Sequence, residues 1–98
     1  LGTFEATAYD LSFESCGKHP DHPAYGITAS GTKARLGVVA VDPKVIPLGT
    51  KLYVEGYGNA IAEDVGGAIK GRLLDVFFNT KNECIQWGRK QVNVWIVD

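Results

Sequence analysis

Six short runs rich in Val, Ile, Tyr, Phe and Thr recur along this chain, at residues 3–9, 36–41, 50–55, 59–64, 72–78 and 92–97, with Gly or Pro in the gaps between them. A weaker run lies at 27–30. So many short strands in 98 residues predict an all-β closed barrel or a sandwich. The segment 14–26 breaks the rhythm with Gly17, Pro20, Pro23 and Gly26 and reads as a long surface loop.

One helix is expected over 81–87. Thr80 and Glu83 have the spacing of a capping box, and Gly88 is a natural stop. Cys84, Ile85 and Trp87 would supply its buried side. A second, single helical turn is expected after Asp42, because Asp42-Pro43 matches an N-cap followed by proline at the first helical position. No internal repeat or low-complexity segment is visible.

The length suits one domain, 1–98, with a single core. A net charge of −1 supplies no global field for nucleic acid or an acidic membrane surface, which argues against a DNA- or RNA-binding module. No apolar run approaches the roughly 20 residues of a membrane helix. The chain starts at Leu1 without an initiator Met, which suggests a processed protein or part of a longer one. Cys16 and Cys84 are compatible with one disulfide closing a long loop. Equally, Cys84 can be a small buried apolar residue and Cys16 an unpaired thiol.

The chemistry-bearing stretch is 60–77. It places Asp64 and Asp75 on apolar strand-like segments joined by a turn containing Gly66 and Gly67. Carboxylates among Ala, Ile, Leu, Val and Phe are costly to bury unless they are hydrogen-bonded or employed. On neighbouring strands the two would face one cleft, as acid/base chemistry on a sugar, peptide or phosphate requires.

Val41-Asp42-Pro43-Lys44-Val45-Ile46-Pro47-Leu48-Gly49-Thr50, Glu63-Asp64-Val65-Gly66-Gly67-Ala68-Ile69-Lys70-Gly71 and Leu74-Asp75-Val76-Phe77 closely resemble the three-aspartate (3D) domain family, with Asp42, Asp64 and Asp75 at its three aspartates. The likeness runs from Thr7-Ala8-Tyr9 to Trp87-Gly88-Arg89 and the final Val-rich strand. The resemblance implies a six-stranded double-psi β-barrel with one or two short helices, similar to the catalytic barrel of membrane-bound lytic transglycosylase A and to the first domain of expansins. It further implies a bacterial cell-wall enzyme, acting outside the cell as part of a longer secreted protein. Such enzymes cleave peptidoglycan strands between N-acetylmuramic acid and N-acetylglucosamine and leave a 1,6-anhydromuramyl end. The catalytic aspartate of transglycosylase A falls on Asp75.

That reaction needs no metal or cofactor. The muramyl 6-hydroxyl is the nucleophile, so one carboxyl group can protonate the leaving oxygen and then receive the hydroxyl proton. Asp75 is assigned this role, since Leu73, Leu74, Val76 and Phe77 would desolvate it; its structural alternative is a turn cap or a pair with Arg72 or Lys70. Asp64 shares a strand face with Ala60 and Ala62 by the two-residue period, which leaves room for a sugar. It would bind substrate and raise the Asp75 pKa, or else be satisfied by amides of the Gly66-Gly67 turn. Asp42 reads as a cap shaping the cleft wall, with sugar contact as the lesser reading. Lys70 is a candidate for substrate carboxylates, and Thr28 and Tyr9 for sugar contacts.

Cys16, His19, Asp21 and His22 superficially suggest a metal site, but structural zinc sites bring two paired clusters, so no metal is expected. Trp87 and Trp95 sit in apolar periodic contexts and are expected in the core. The alternative function is a noncatalytic, expansin-like glycan-binding or wall-loosening module, and a third is hydrolysis with Asp64 or Asp42 as base. Either a monomer or a strand-exchanged dimer fits.

Overall fold

The computed structural model describes residues 1–11 and 26–97. Strands β1 (Gly2–Tyr9), β2 (Val38–Ala40), β3 (Lys51–Val54), β4 (Gly58–Asp64), β5 (Leu73–Phe77) and β6 (Lys90–Ile96) close into a barrel in the order β1-β5-β2-β4-β3-β6. Pairs β1–β5 and β2–β4 are parallel and the other four antiparallel. The run spacing left a closed barrel and a sandwich open, and the structure is the six-stranded closed barrel that the family resemblance implied.

Alternation along each strand builds the interior. Phe4 and Ala6, Val39, Leu52 and Val54, Ala60 and Ala62, Leu74 and Val76, and Val92 and Val94 point inward and are buried together. Val41 and Ile46 extend this core beyond the end of β2. Ile46 arrives there through the turn at Asp42-Pro43, where the Val45 and Ile46 amides both donate to the Asp42 carbonyl at 2.9 Å. This is the single turn expected after Asp42. The run at 27–30 forms only an isolated bridge, Ile27 with Lys33.

Helix α1 (Lys81–Trp87) begins as its capping box predicts. Thr80 Oγ1 accepts from the Glu83 amide at 3.2 Å and lies 3.0 Å from Glu83 Oε1. Gly88 closes it at φ 67°, and its amide donates to the Cys84 carbonyl. Trp87 is buried and its indole N–H donates to the Ala6 carbonyl at 3.3 Å, which pins α1 to β1. Ile85 does not join it and is 67% exposed, because Cys84 and Trp87 are three residues apart on one face while Ile85 is rotated off it. No helix among the described residues is long and apolar enough to cross a membrane.

Three expectations need correction. The strands that carry Asp64 and Asp75 are not neighbours, because β2 lies between β4 and β5. Asp64 does not share the face of Ala60 and Ala62, because the β2–β4 ladder slips by one residue before it. Trp95 is not in the core: Val92 and Val94 take the inward positions of β6 and leave it on the outer surface. The 14–26 loop, Cys16, His19, Asp21 and His22 lie outside the described residues apart from Gly26, while Cys84 is half-buried and its thiol is unpaired among the described residues.

Candidate active site

On β5, Leu74 and Val76 face the core, so Asp75 and Phe77 face outward. The register pairs Asp75 with Thr7 of β1 on one side and with Ala40 of β2 on the other. On the far side of β2, the ladder with β4 slips: Val39 pairs with Ala62, but Ala40 pairs with Asp64, passing over Glu63. This bulge turns Asp64 away from the core-facing row of Ala60 and Ala62 and into register with Ala40. One row across four strands thus reads Thr7, Asp75, Ala40, Asp64. Only a methyl group stands between the two aspartate positions.

The two carboxyl groups are treated very differently. Asp64 is held by three donors: the Ala29 and Val65 amides reach Oδ1 at 3.0 and 2.9 Å, and the Tyr9 hydroxyl reaches Oδ2 at 3.2 Å. It is committed as an acceptor and as a source of negative charge. Asp75 has one such partner, Thr7 Oγ1, at 2.9 Å from Oδ1, and its Oδ2 has none among the described residues. Burial pushes the Asp75 pKa up to about 6, the Thr7 hydrogen bond opposes this, and the charge of Asp64 adds to it. Burial, together with the neighbouring Asp64, likewise pushes the Tyr9 phenol well above its ordinary range, so it remains a donor.

Tyr9 and Asp75 line a cleft of about 350 Å³ with Thr7, Ala8, Ala68, Ile69, Leu73 and Arg89. The Tyr9 ring packs edge-on to Phe77, 5.4 Å between centroids, at the base of an outer apolar cluster with Val38 and Ala40. The loop after β4 folds over this cluster, with the Ile69 amide donating to the Gly66 carbonyl. A Cβ on Gly66 would come within 2.8 Å of Ile69 Cγ1, so the glycine is what lets Ile69 sit against the cleft; Gly67 has open space around it.

The remaining sequence candidates lie elsewhere. Asp42 Oδ1 accepts from the Lys44 amide at 3.0 Å and Oδ2 from the Gly71 amide at 2.9 Å, and these donors, Gly71 foremost, hold its carboxyl below the usual range. Lys70 is exposed and its charge acts on Asp42. Thr28 is buried within its own turn, with Oγ1 2.7 Å from Thr32 Oγ1. That turn is tied to the bulge, since Thr32 and Arg35 donate to Glu63 Oε1 at 2.8 and 2.7 Å and the Ser30 amide to the Glu63 carbonyl. Thr7 and Arg89 were not among the site residues read from the sequence. The alternation of Thr7 with Tyr9 on one strand was the available signal for the first, and nothing local marks Arg89.

Residues 37–98 match the 3D domain. The chain belongs to the 3D domain family. Among its relatives, YabE and the cell wall-binding protein YocH of Bacillus subtilis (strain 168) are each 45% identical over 100 residues, an alignment that takes in 98% of this chain. The chain spans only 23% of YabE and 32% of YocH. Among solved structures it is similar to the lytic transglycosylase MltA of Escherichia coli, at a TM-score of 0.60 and 29% identity over 74% of this chain and 27% of that one. The lytic transglycosylase LtgG of Burkholderia pseudomallei gives a TM-score of 0.61 and 26% identity over 81% of this chain and 27% of that one. The 3D domain and the MltA-like barrel are thus one fold in this chain.

Proposed function

We propose that this domain is a peptidoglycan lytic transglycosylase working at the bacterial cell wall, in which Asp75 is the only acid/base. The observation that carries the reading is the asymmetry of the carboxyl groups: Asp75 is raised to about 6 with Oδ2 free among the described residues, whereas Asp64 has both oxygens engaged. A hydrolase would need a second carboxylate free to activate water. Asp64 and Asp42 are both occupied by donors.

Protonated Asp75 gives its proton to the glycosidic oxygen as the bond from muramyl C1 breaks, releasing the N-acetylglucosamine 4-hydroxyl. Positive charge develops at C1, and the negative charge of Asp64 and Asp75 in the same row stabilises it. The muramyl 6-hydroxyl then attacks C1 and its proton passes to the Asp75 carboxylate, which closes the 1,6-anhydro ring and restores the acid. Arg89, which lines the cleft and lies 3.6 Å from the Glu5 carboxylate, takes the role of binding substrate carboxylates; Lys70 is not among the residues that line it. The similarity to MltA, which has been solved with bound chitohexaose, supports a glycan as substrate.

Mass spectrometry of digested peptidoglycan tests the reading. Anhydromuramyl ends are expected, and Asp75→Asn is expected to lower their release by at least about 100-fold. Reducing muramyl ends would indicate hydrolysis. Binding without products would favour the noncatalytic module, the reading that YocH's name as a cell wall-binding protein supports.

A further inference from the structure

The wall of the barrel opposite Asp75 carries a feature that the reaction does not use. In the strand order, β3 lies three places from β5, and its outer face holds Tyr53, paired in register with Asn59 of β4 and with Trp95 of β6. The two rings are 44% and 49% exposed, with centroids 5.9 Å apart and planes tilted by 53°. Large aromatic side chains are normally where apolar area is hidden, so two of them open side by side are available to a ligand.

Their surroundings define what that ligand is. Lys51 and Asn59 flank the rings, and their side chains make no hydrogen bond or ion pair among the described residues. Both also line a cleft of about 400 Å³ with Leu36, Ile61 and Val97, so the platform continues into a groove. With about half of each ring exposed, the open aromatic area is on the order of 200 Å², set against the roughly 800 Å² per partner of a stable protein interface. A small apolar platform beside amide and ammonium donors matches a pyranose, which presents C–H faces above and below its ring and hydroxyls around its edge.

We propose that Tyr53 and Trp95, with Asn59 and Lys51, form a second glycan-binding surface that holds a β-1,4-linked amino-sugar strand on the wall remote from the catalytic cleft. The assignment of the ligand rests on the cell-wall reading above. The site itself does not depend on turnover: it anchors the domain to one stretch of glycan while the Asp75 cleft acts on another.

Amide and indole N–H resonances of the 98-residue chain, titrated with chitotetraose in the Asp75→Asn background, test this. The Trp95 indole and the Tyr53 and Asn59 amides are expected to shift with saturation, whether or not residues around Thr7 and Asp75 also respond. In Tyr53→Ser/Trp95→Ser, co-sedimentation with insoluble peptidoglycan is expected to weaken about tenfold, with cleavage of a short soluble glycan unchanged. Shifts confined to the Asp75 cleft, or no shifts at all, would overturn the proposal. So would concentration-dependent shifts of Tyr53 and Trp95 without sugar, which would make this face a contact between copies. Loss of anhydromuramyl products leaves all of these readings intact, so the platform and the catalytic assignment fail separately.

Discussion

Ala40 is the smallest side chain in the row of Thr7, Asp75, Ala40 and Asp64, and it determines how the others behave. It keeps Asp64 and Asp75 in one register two strand spacings apart, on the order of 10 Å between backbones, so that the charge of one is felt by the other. In the proposed reaction Asp75 must be protonated to act, so kcat/KM is expected to fall above a pH of about 6 with a slope of one. Asp64→Asn removes a cause of the raised pKa, and this limb should then move to lower pH in a pH–rate profile. The same shift acts on stability. The folded state holds the Asp75 proton more tightly than the unfolded chain, so the contribution is full below about pH 4 and is lost as pH rises through about 6. Its size is at most about 3 kcal/mol. Asp75→Asn should therefore be more stable than the parent at pH 8, by about 1–3 kcal/mol, with the difference vanishing near pH 4; urea unfolding at both pH values measures it.

At the level of elements, the strands and the helix were legible because their signals are local. Runs of β-forming residues set off by Gly and Pro gave every strand to within two residues, and Thr80, Glu83 and Gly88 bounded α1. Thr80→Ala should cost about 1 kcal/mol in denaturant unfolding by removing the acceptor for the Glu83 amide. Strand order was not legible in the same way, since a glycine turn between two runs looks like a hairpin whether or not a third strand enters between them. Asp64 was found as a candidate, but its face was misread, because periodicity has no term for one extra residue in a ladder. Trp95 was misplaced for a related reason: a run of Val and Trp reads as buried on both sides until the neighbouring strand shows which side is the core. Arg89 reaches the cleft only because Gly88 turns the chain at positive φ, a tertiary consequence with no pattern of its own.

Across the whole molecule, the pairing pattern is unchanged when β1 is exchanged with β4, β2 with β5 and β3 with β6. This two-part organisation leaves no repeat visible in the sequence. Every ladder joins one of the first three strands to one of the last three. Fragments 1–57 and 58–98 are therefore each expected to be unfolded alone, and a dispersed amide spectrum from either would contradict this. The same feature sets a schedule for the chain as it is made. While the first half emerges from the ribosome, none of its strands has a native neighbour; the β3–β4 hairpin is the earliest ladder available, and the N-terminal strand must wait for β5 and β6. Until β6 is in place, this barrel is a polypeptide that can still be threaded, and from then on it is a closed ring with no edge by which to undo it.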